Sequence, residues 1–225
     1  MISIFDYGAG NLRSVENTLG AIGAQYELIR DAAAVERSHK LILPGVGHFG
    51  QMLRALDNMG VRDAIVNRIR VGVPFLGICI GMQLLFESSD ESPGVAGLGV
   101  VPGRVTRLPA GVRLPQIGWN TIEVEPRSRL CAGLPDPAWC YFVHSYAAEP
   151  ADPAVVTAWC EHGRRFPAVI EAGPVWATQF HPEKSGGYLG GGNAKHLKIE
   201  LPANVTVTEN VAGLLGGIAL WQVRP

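Results

Sequence analysis

Charge is scarce in this sequence. Asp, Glu, Lys and Arg make up 17% of the 225 residues and leave a formal net charge of −1. The basic field that draws a protein onto nucleic acid is therefore absent, and no block of like charges reads as an interaction tail. Cysteine is scarce too. Cys79, Cys131, Cys140 and Cys160 include no CxxC pair, which argues against a tetrahedral zinc site, and no metal or other cofactor is expected. The N-terminus lacks the basic start and apolar run of a secretory signal. The longest apolar run, near residues 211–221, is too short to span a bilayer. A reducing cytoplasm with free thiols is the expected setting. Internal repeats are missing as well.

What is present is apolar. Hydrophobic residues reach 47%, ordinary for a soluble globular chain and too high for disorder. The length suits a single α/β domain over 1–225 with a hydrophobic core. Its first half alternates strand and helix signals. Strands are expected at Ile2–Phe5, Tyr26–Ile29, 40–43 and 74–78. Helical spacing runs through Leu12, Val15, Leu19 and Ile22, then Met52, Leu53, Leu56 and Met59, then Val61, Ile65 and Ile69. A further helix is expected over 82–86. This order predicts a mixed, mostly parallel central sheet flanked by helices. The second half is richer in strands, expected at 99–108, 119–124, 141–147, 154–159, 168–170 and 175–180 with Pro and Gly as turns.

Chemistry concentrates at three strand ends. Gly77-Ile78-Cys79-Ile80-Gly81 lies between a predicted buried strand and a predicted helix. This is the context of a nucleophile elbow with Cys in the place of Ser, although the same glycines suit a buried structural cysteine. A thiol there stands at a helix N-terminus, which favours the thiolate. His181-Pro182-Glu183 follows the last predicted strand. A cysteine nucleophile needs a base, and the base needs a partner that fixes its tautomer. Glu183 is placed to orient His181 if the segment is extended, because residues two apart then point the same way. Pro44-Gly45-Val46-Gly47 ends another strand, where glycines let the main chain approach a substrate and aim N–H groups at an oxyanion.

Taken in order, these motifs (PGVG, GICIGMQLLF, HPEKSG) resemble the class I glutamine amidotransferases. FDYGAGNL near the start, PGVGHFG, PQIGWN and YFVHSY narrow the resemblance to the glutaminase subunits of imidazole glycerol phosphate synthases. The resemblance runs from residue 2 to about residue 186. It implies the class I amidotransferase fold and a Cys79-His181-Glu183 triad forming a glutamyl thioester. It also implies Gly47 and the Ile80 N–H at the oxyanion, and Gln83, His144 and Ser145 holding glutamine. A (β/α)8 cyclase partner would receive the ammonia in a heterodimer serving histidine biosynthesis. Tyr7, Asn11 and Lys184 would lie near that partner.

The tail departs from the pattern. About twenty residues, 187–209, intervene before a final apolar segment, and they read as a hairpin, with a closing helix over 211–221. Three other readings share the motifs: a paralogue feeding a different synthase, a regulatory protein that has lost catalysis, and a cysteine peptidase. The peptidase would not need Gln83 and the His144-Ser145 pair.

Overall fold

The computed structural model describes residues 1–8 and 12–185, so the expected hairpin and closing helix of the tail, and Asn11, lie outside the described residues. The elements run β1 (Ile2–Phe5), α1 (Leu12–Ala21), β2 (Tyr26–Ile29), α2 (Ala32–Arg37), β3 (Leu41–Leu43), α3 (Phe49–Asn58), α4 (Arg62–Arg70), β4 (Phe75–Ile78) and α5 (Ile80–Gln83). There follow β5 (Ser88–Ser89), β6 (Gly103–Arg107), β7 (Gln116–Val124), β8 (Ala138–His144), β9 (Tyr146–Pro150), a 3-10 turn at Pro153–Val155, β10 (Val156–Glu161), β11 (Arg165–Ala172), β12 (Val175–Thr178) and α6 (Pro182–Ser185).

Nine strands form one mixed sheet in the order β2-β1-β3-β4-β12-β11-β10-β7-β8. From β2 to β12 neighbours are parallel; from β12 to β8 they are antiparallel. The parallel strands are apolar at nearly every position because helices or loops cover both faces. Alternation sorts their side chains. Phe5, Leu41, Leu43, Phe75 and Val175 pack with α3 and α4 on one face. Ile2, Ile4, Ile42, Leu76 and Ile78 pack with Val15 and Leu19 of α1 on the other.

Two expected elements change and one helix is added. The helix expected over 82–86 is instead a single turn over Ile80–Gln83. The carbonyls of Leu84, Leu85 and Phe86 accept from the backbone N–H groups of residues 98–101, so they cannot continue a helix. The single strand expected over 141–147 is two strands that part at Ser145. β8 lies at the edge of the large sheet, while β9 joins a three-stranded sheet beside β6. Strand-forming residues lie on both sides of His144-Ser145, and they carry no mark of that transfer between sheets. Finally, α2 had no counterpart among the expected helices, although its cap was in the sequence: Asp31 accepts from the Ala34 N–H at 2.8 Å.

Candidate active site

Open parallel sheets place ligands at the carboxyl ends of their strands, beside the point where strand order reverses. Here the order reverses at β1, which has β2 on one side and β3 on the other. The ends of β1, β3, β4 and β12 carry Tyr7, residues 44–47, Cys79 and Gln179 to His181 respectively.

Cys79 joins β4 to α5 with φ 55° and ψ −109°, and among the described residues no other non-glycine has a positive φ. Such a conformation costs about 1–3 kcal/mol and persists only when its surroundings enforce it. The flanking glycines show how. A Cβ on Gly77 would come within 2.7 Å of the Gly81 carbonyl oxygen, and one on Gly81 would collide with the Leu43 carbonyl. The elbow can therefore press against β3 only with glycine on both sides. Its first N–H is fixed by the neighbouring strand, with Cys79 N donating to Thr178 O at 2.7 Å. The thiol is 5% exposed, donates to Val143 O at 3.8 Å and receives the Gln179 amide at 3.7 Å.

His181 follows β12, the strand beside β4, and its backbone N–H donates to Tyr141 O at 2.9 Å. Its Nδ1 lies 2.8 Å from Glu183 Oε1, with both side chains almost fully buried. The route to this contact differs from the expected extended segment. Pro182 opens the short helix α6, a position proline favours, and Glu183 reaches back from that turn to the ring. Ser185 pins the turn by donating to His181 O at 2.7 Å and accepting from the Tyr141 N–H at 3.0 Å. Burial opposes a charge on the imidazole, but Cys79 and Glu183 outweigh it and push the His181 pKa up to about 10. With Nδ1 committed to Glu183, Nε2 is left buried without a hydrogen-bond partner.

A pocket of about 220 Å³ opens on the thiol, and Gly47, Ile80, Gln83, Ser145 and Glu91 stand on its walls. Gly47 holds φ 121°, a conformation side chains resist. The residue just before it is held by Tyr7, whose hydroxyl accepts from Val46 N at 3.2 Å and donates to Val46 O at 3.4 Å. Gln83 uses Nε2 twice within the protein, donating to Tyr146 O at 2.9 Å and to Gln179 Oε1 at 3.0 Å. Its Oε1 is thus the end left for a ligand.

His144 also lines the pocket, but its ring is occupied: Nδ1 is 2.8 Å from Tyr146 O and Nε2 is 3.0 Å from Gln116 Oε1. Burial holds its pKa down to about 4, so the ring is neutral at pH 7, can donate to only one of these two oxygens, and shapes the wall. Lys184 stands away from the pocket, with its ammonium 5.7 Å from the centre of the Tyr141 ring.

Two residues escaped the sequence reading. Glu91 faces the pocket and accepts from the Phe49 N–H at 2.7 Å, capping α3 where His48 makes no side-chain cap. It sits in a stretch of serine, aspartate and glycine whose polarity reads as loop. Gln179 is fully buried one residue past β12, inside a segment that reads as continuous apolar strand. Among the described residues no cluster of His, Cys, Asp or Glu is suited to hold a metal, and the four cysteines are unpaired.

Comparison with known proteins places this geometry in a family. The profile described as glutamine amidotransferase class-I matches residues 3–196. The imidazole glycerol phosphate synthase subunit HisH of Methanothermobacter thermautotrophicus is 47% identical over 186 residues, covering 83% of this chain and 92% of the relative. HisH of Desulfitobacterium hafniense strain Y51 is 44% identical over 185 residues, covering 82% and 88%. Among solved structures, PurLQS from Thermotoga maritima superposes with a TM-score of 0.70 at 17% identity, covering 98% of each chain, which supports the fold alone. The chain belongs to the class-I glutamine amidotransferase family.

Proposed function

We propose that this chain is the glutaminase subunit of an imidazole glycerol phosphate synthase, acting in the cytoplasm in histidine biosynthesis. The observation that carries the reading is the strained Cys79 elbow beside a buried His181–Glu183 pair whose Nε2 is unpartnered. The similarity to HisH subunits selects this synthase among the systems that use such a site.

Glutamine enters with its side-chain amide towards Cys79. Glu91, the one carboxylate among the described residues lining the pocket, suits the α-ammonium of a free amino acid. Cys79 Sγ attacks the amide carbon while its proton resides on His181. The backbone N–H groups at Gly47 and Ile80 receive the developing oxyanion. His181 protonates the departing nitrogen, ammonia leaves and a glutamyl thioester remains. Water then attacks the thioester as His181 takes its proton, and glutamate and the free thiol are released. Glu183 holds the ring in the tautomer that exposes Nε2 throughout.

The ammonia passes to a (β/α)8 cyclase subunit in a heterodimer. There it opens a phosphoribulosyl intermediate, giving imidazole glycerol phosphate and aminoimidazole carboxamide ribotide. Tyr7 and Lys184 are the docking residues of this reading. The test is glutamate release by the chain alone, with a cyclase subunit, and with cyclase plus its ribulosyl ligand. Release that is strong only in the last condition and vanishes in Cys79→Ala supports the assignment. Release that ignores the cyclase contradicts it.

A further inference from the structure

The mechanism above leaves a buried side chain unused. Gln179 is fully buried between β12 and His181, with its backbone N–H donating to Ala168 O at 2.9 Å. Its amide touches the site at two points. Nε2 donates to Cys79 Sγ at 3.7 Å and Oε1 accepts from Gln83 Nε2 at 3.0 Å. Gln83 in turn donates to Tyr146 O at 2.9 Å, so one unbroken chain links the nucleophile to the pocket wall. A buried amide has four hydrogen-bonding positions to satisfy, and an unpaired one costs about 1–3 kcal/mol. An amide this deep with two partners drawn from the site indicates a role there rather than filling of the core.

The sulfur's two contacts differ in sign. Towards Val143 O the thiol is the donor, and that contact disappears once the proton leaves. Towards Gln179 the sulfur is the acceptor, and that contact strengthens as negative charge builds.

We propose that Gln179 is a positioning residue of the glutaminase reaction, its amide aiming the Cys79 sulfur at the pocket and holding Gln83 in register with it. The inference rests on the glutaminase reading for its purpose, but its physical content is the contact with sulfur. Gln179 acts when the thiol ionises and as the thioester collapses back to thiolate. In both, the amide supplies an N–H to sulfur while His181 carries the proton.

The test is the pH profile of Cys79 alkylation by iodoacetamide in the full chain, read by mass spectrometry on the peptide carrying Cys79. Cys131, Cys140 and Cys160 are buried and serve as internal controls. In Gln179→Met the N–H is lost, and the midpoint of the alkylation profile should rise by about one pH unit, a tenfold change in the ionisation constant. Gln179→Glu keeps the shape and the acceptor for Gln83 but turns a carboxylate on the sulfur, so its midpoint should rise at least as far. This near-isosteric variant also guards against a fold lost in Gln179→Met. A midpoint unchanged in a folded variant would overturn the proposal. If the wild-type chain released no glutamate with any partner, the glutaminase reading would fail while the alkylation profiles still decided the Gln179 contact.

Discussion

The parallel and antiparallel halves of the large sheet build different parts of the same site. From β2 to β12, successive strands deliver backbone turns and reacting groups: residues 44–47, Cys79 and His181 each lie just past a strand's carboxyl end. From β12 to β8, the antiparallel strands deliver a wall. His144 ends β8, Ser145 is the crossing residue and Tyr146 opens β9 in the smaller sheet. Strain is stored on the parallel side, in the positive φ of Cys79. Among the described residues no such strain marks the other side, where the His144 ring lies within hydrogen-bond distance of Tyr146 O and Gln116 Oε1. In the proposed reaction, chemistry thus falls to strand ends and substrate shape to the break between two sheets.

The largest expected effect falls on the parallel half. Cys79→Ala and Cys79→Gly should each lower glutamate release by about four orders of magnitude. The two should differ in stability, because glycine accepts a positive φ and alanine does not. Cys79→Gly is expected to be more stable than Cys79→Ala by about 1 kcal/mol in urea unfolding, the reverse of the usual order. An alanine variant as stable as the glycine one would remove strain from the comparison.

Glu183→Gln should follow, with turnover falling about 1,000-fold through loss of the ring's orientation. It also has a pH signature. The folded pKa of His181 is raised to about 10 from an ordinary 6.5. Its contribution to stability is therefore fully present below about pH 6.5 and is lost as pH rises through about 10. The stability gap between wild type and Glu183→Gln should accordingly narrow across that window in unfolding curves taken at successive pH values. A gap that widens would show the coupling to have the opposite sign.

Gly47→Val comes next. The site has room for a Cβ, so the fold should survive, but valine resists φ 121° and the loop must turn its peptide. Partner-activated turnover should fall about 100-fold, as for one lost oxyanion donor. The smallest effect is expected from Tyr7→Phe, which frees Val46 from a hydroxyl that bonds both its N–H and its carbonyl. Glutamate release without cyclase ligand should rise about two- to fivefold, the worth of one modest hydrogen bond.

The parallel half was largely legible in the sequence, since each buried strand is a short apolar run closed by a turn and each functional motif sits at such a closure. Ile2–Phe5 and Tyr26–Ile29 appear at their expected bounds. The antiparallel half was less so. The break at Ser145 depends on which neighbour each strand finds, and strand-forming residues lie on both sides of it. Just past the single turn of α5, the carbonyls of Leu84, Leu85 and Phe86 are taken by the N–H groups of residues 98–101, a pairing with no mark in the local sequence. Glu91 and Gln179 were hidden for a related reason. Each draws its meaning from distant partners, Phe49 for the first and Gln83 with Cys79 for the second. Glu183 was identified through its spacing from His181, yet it reaches the ring from a helical turn that proline initiates.

The central claim is that Cys79 carries the glutamyl group, and the most direct measurement is the mass of the peptide containing Cys79. The complex with a cyclase subunit and its ligand would be incubated with glutamine and quenched in acid during turnover. The account predicts that this peptide gains one glutamyl group, and that the gain is absent from Cys79→Ala. Glutamate released at full rate with no adduct on Cys79, or with the adduct on another cysteine, would contradict it.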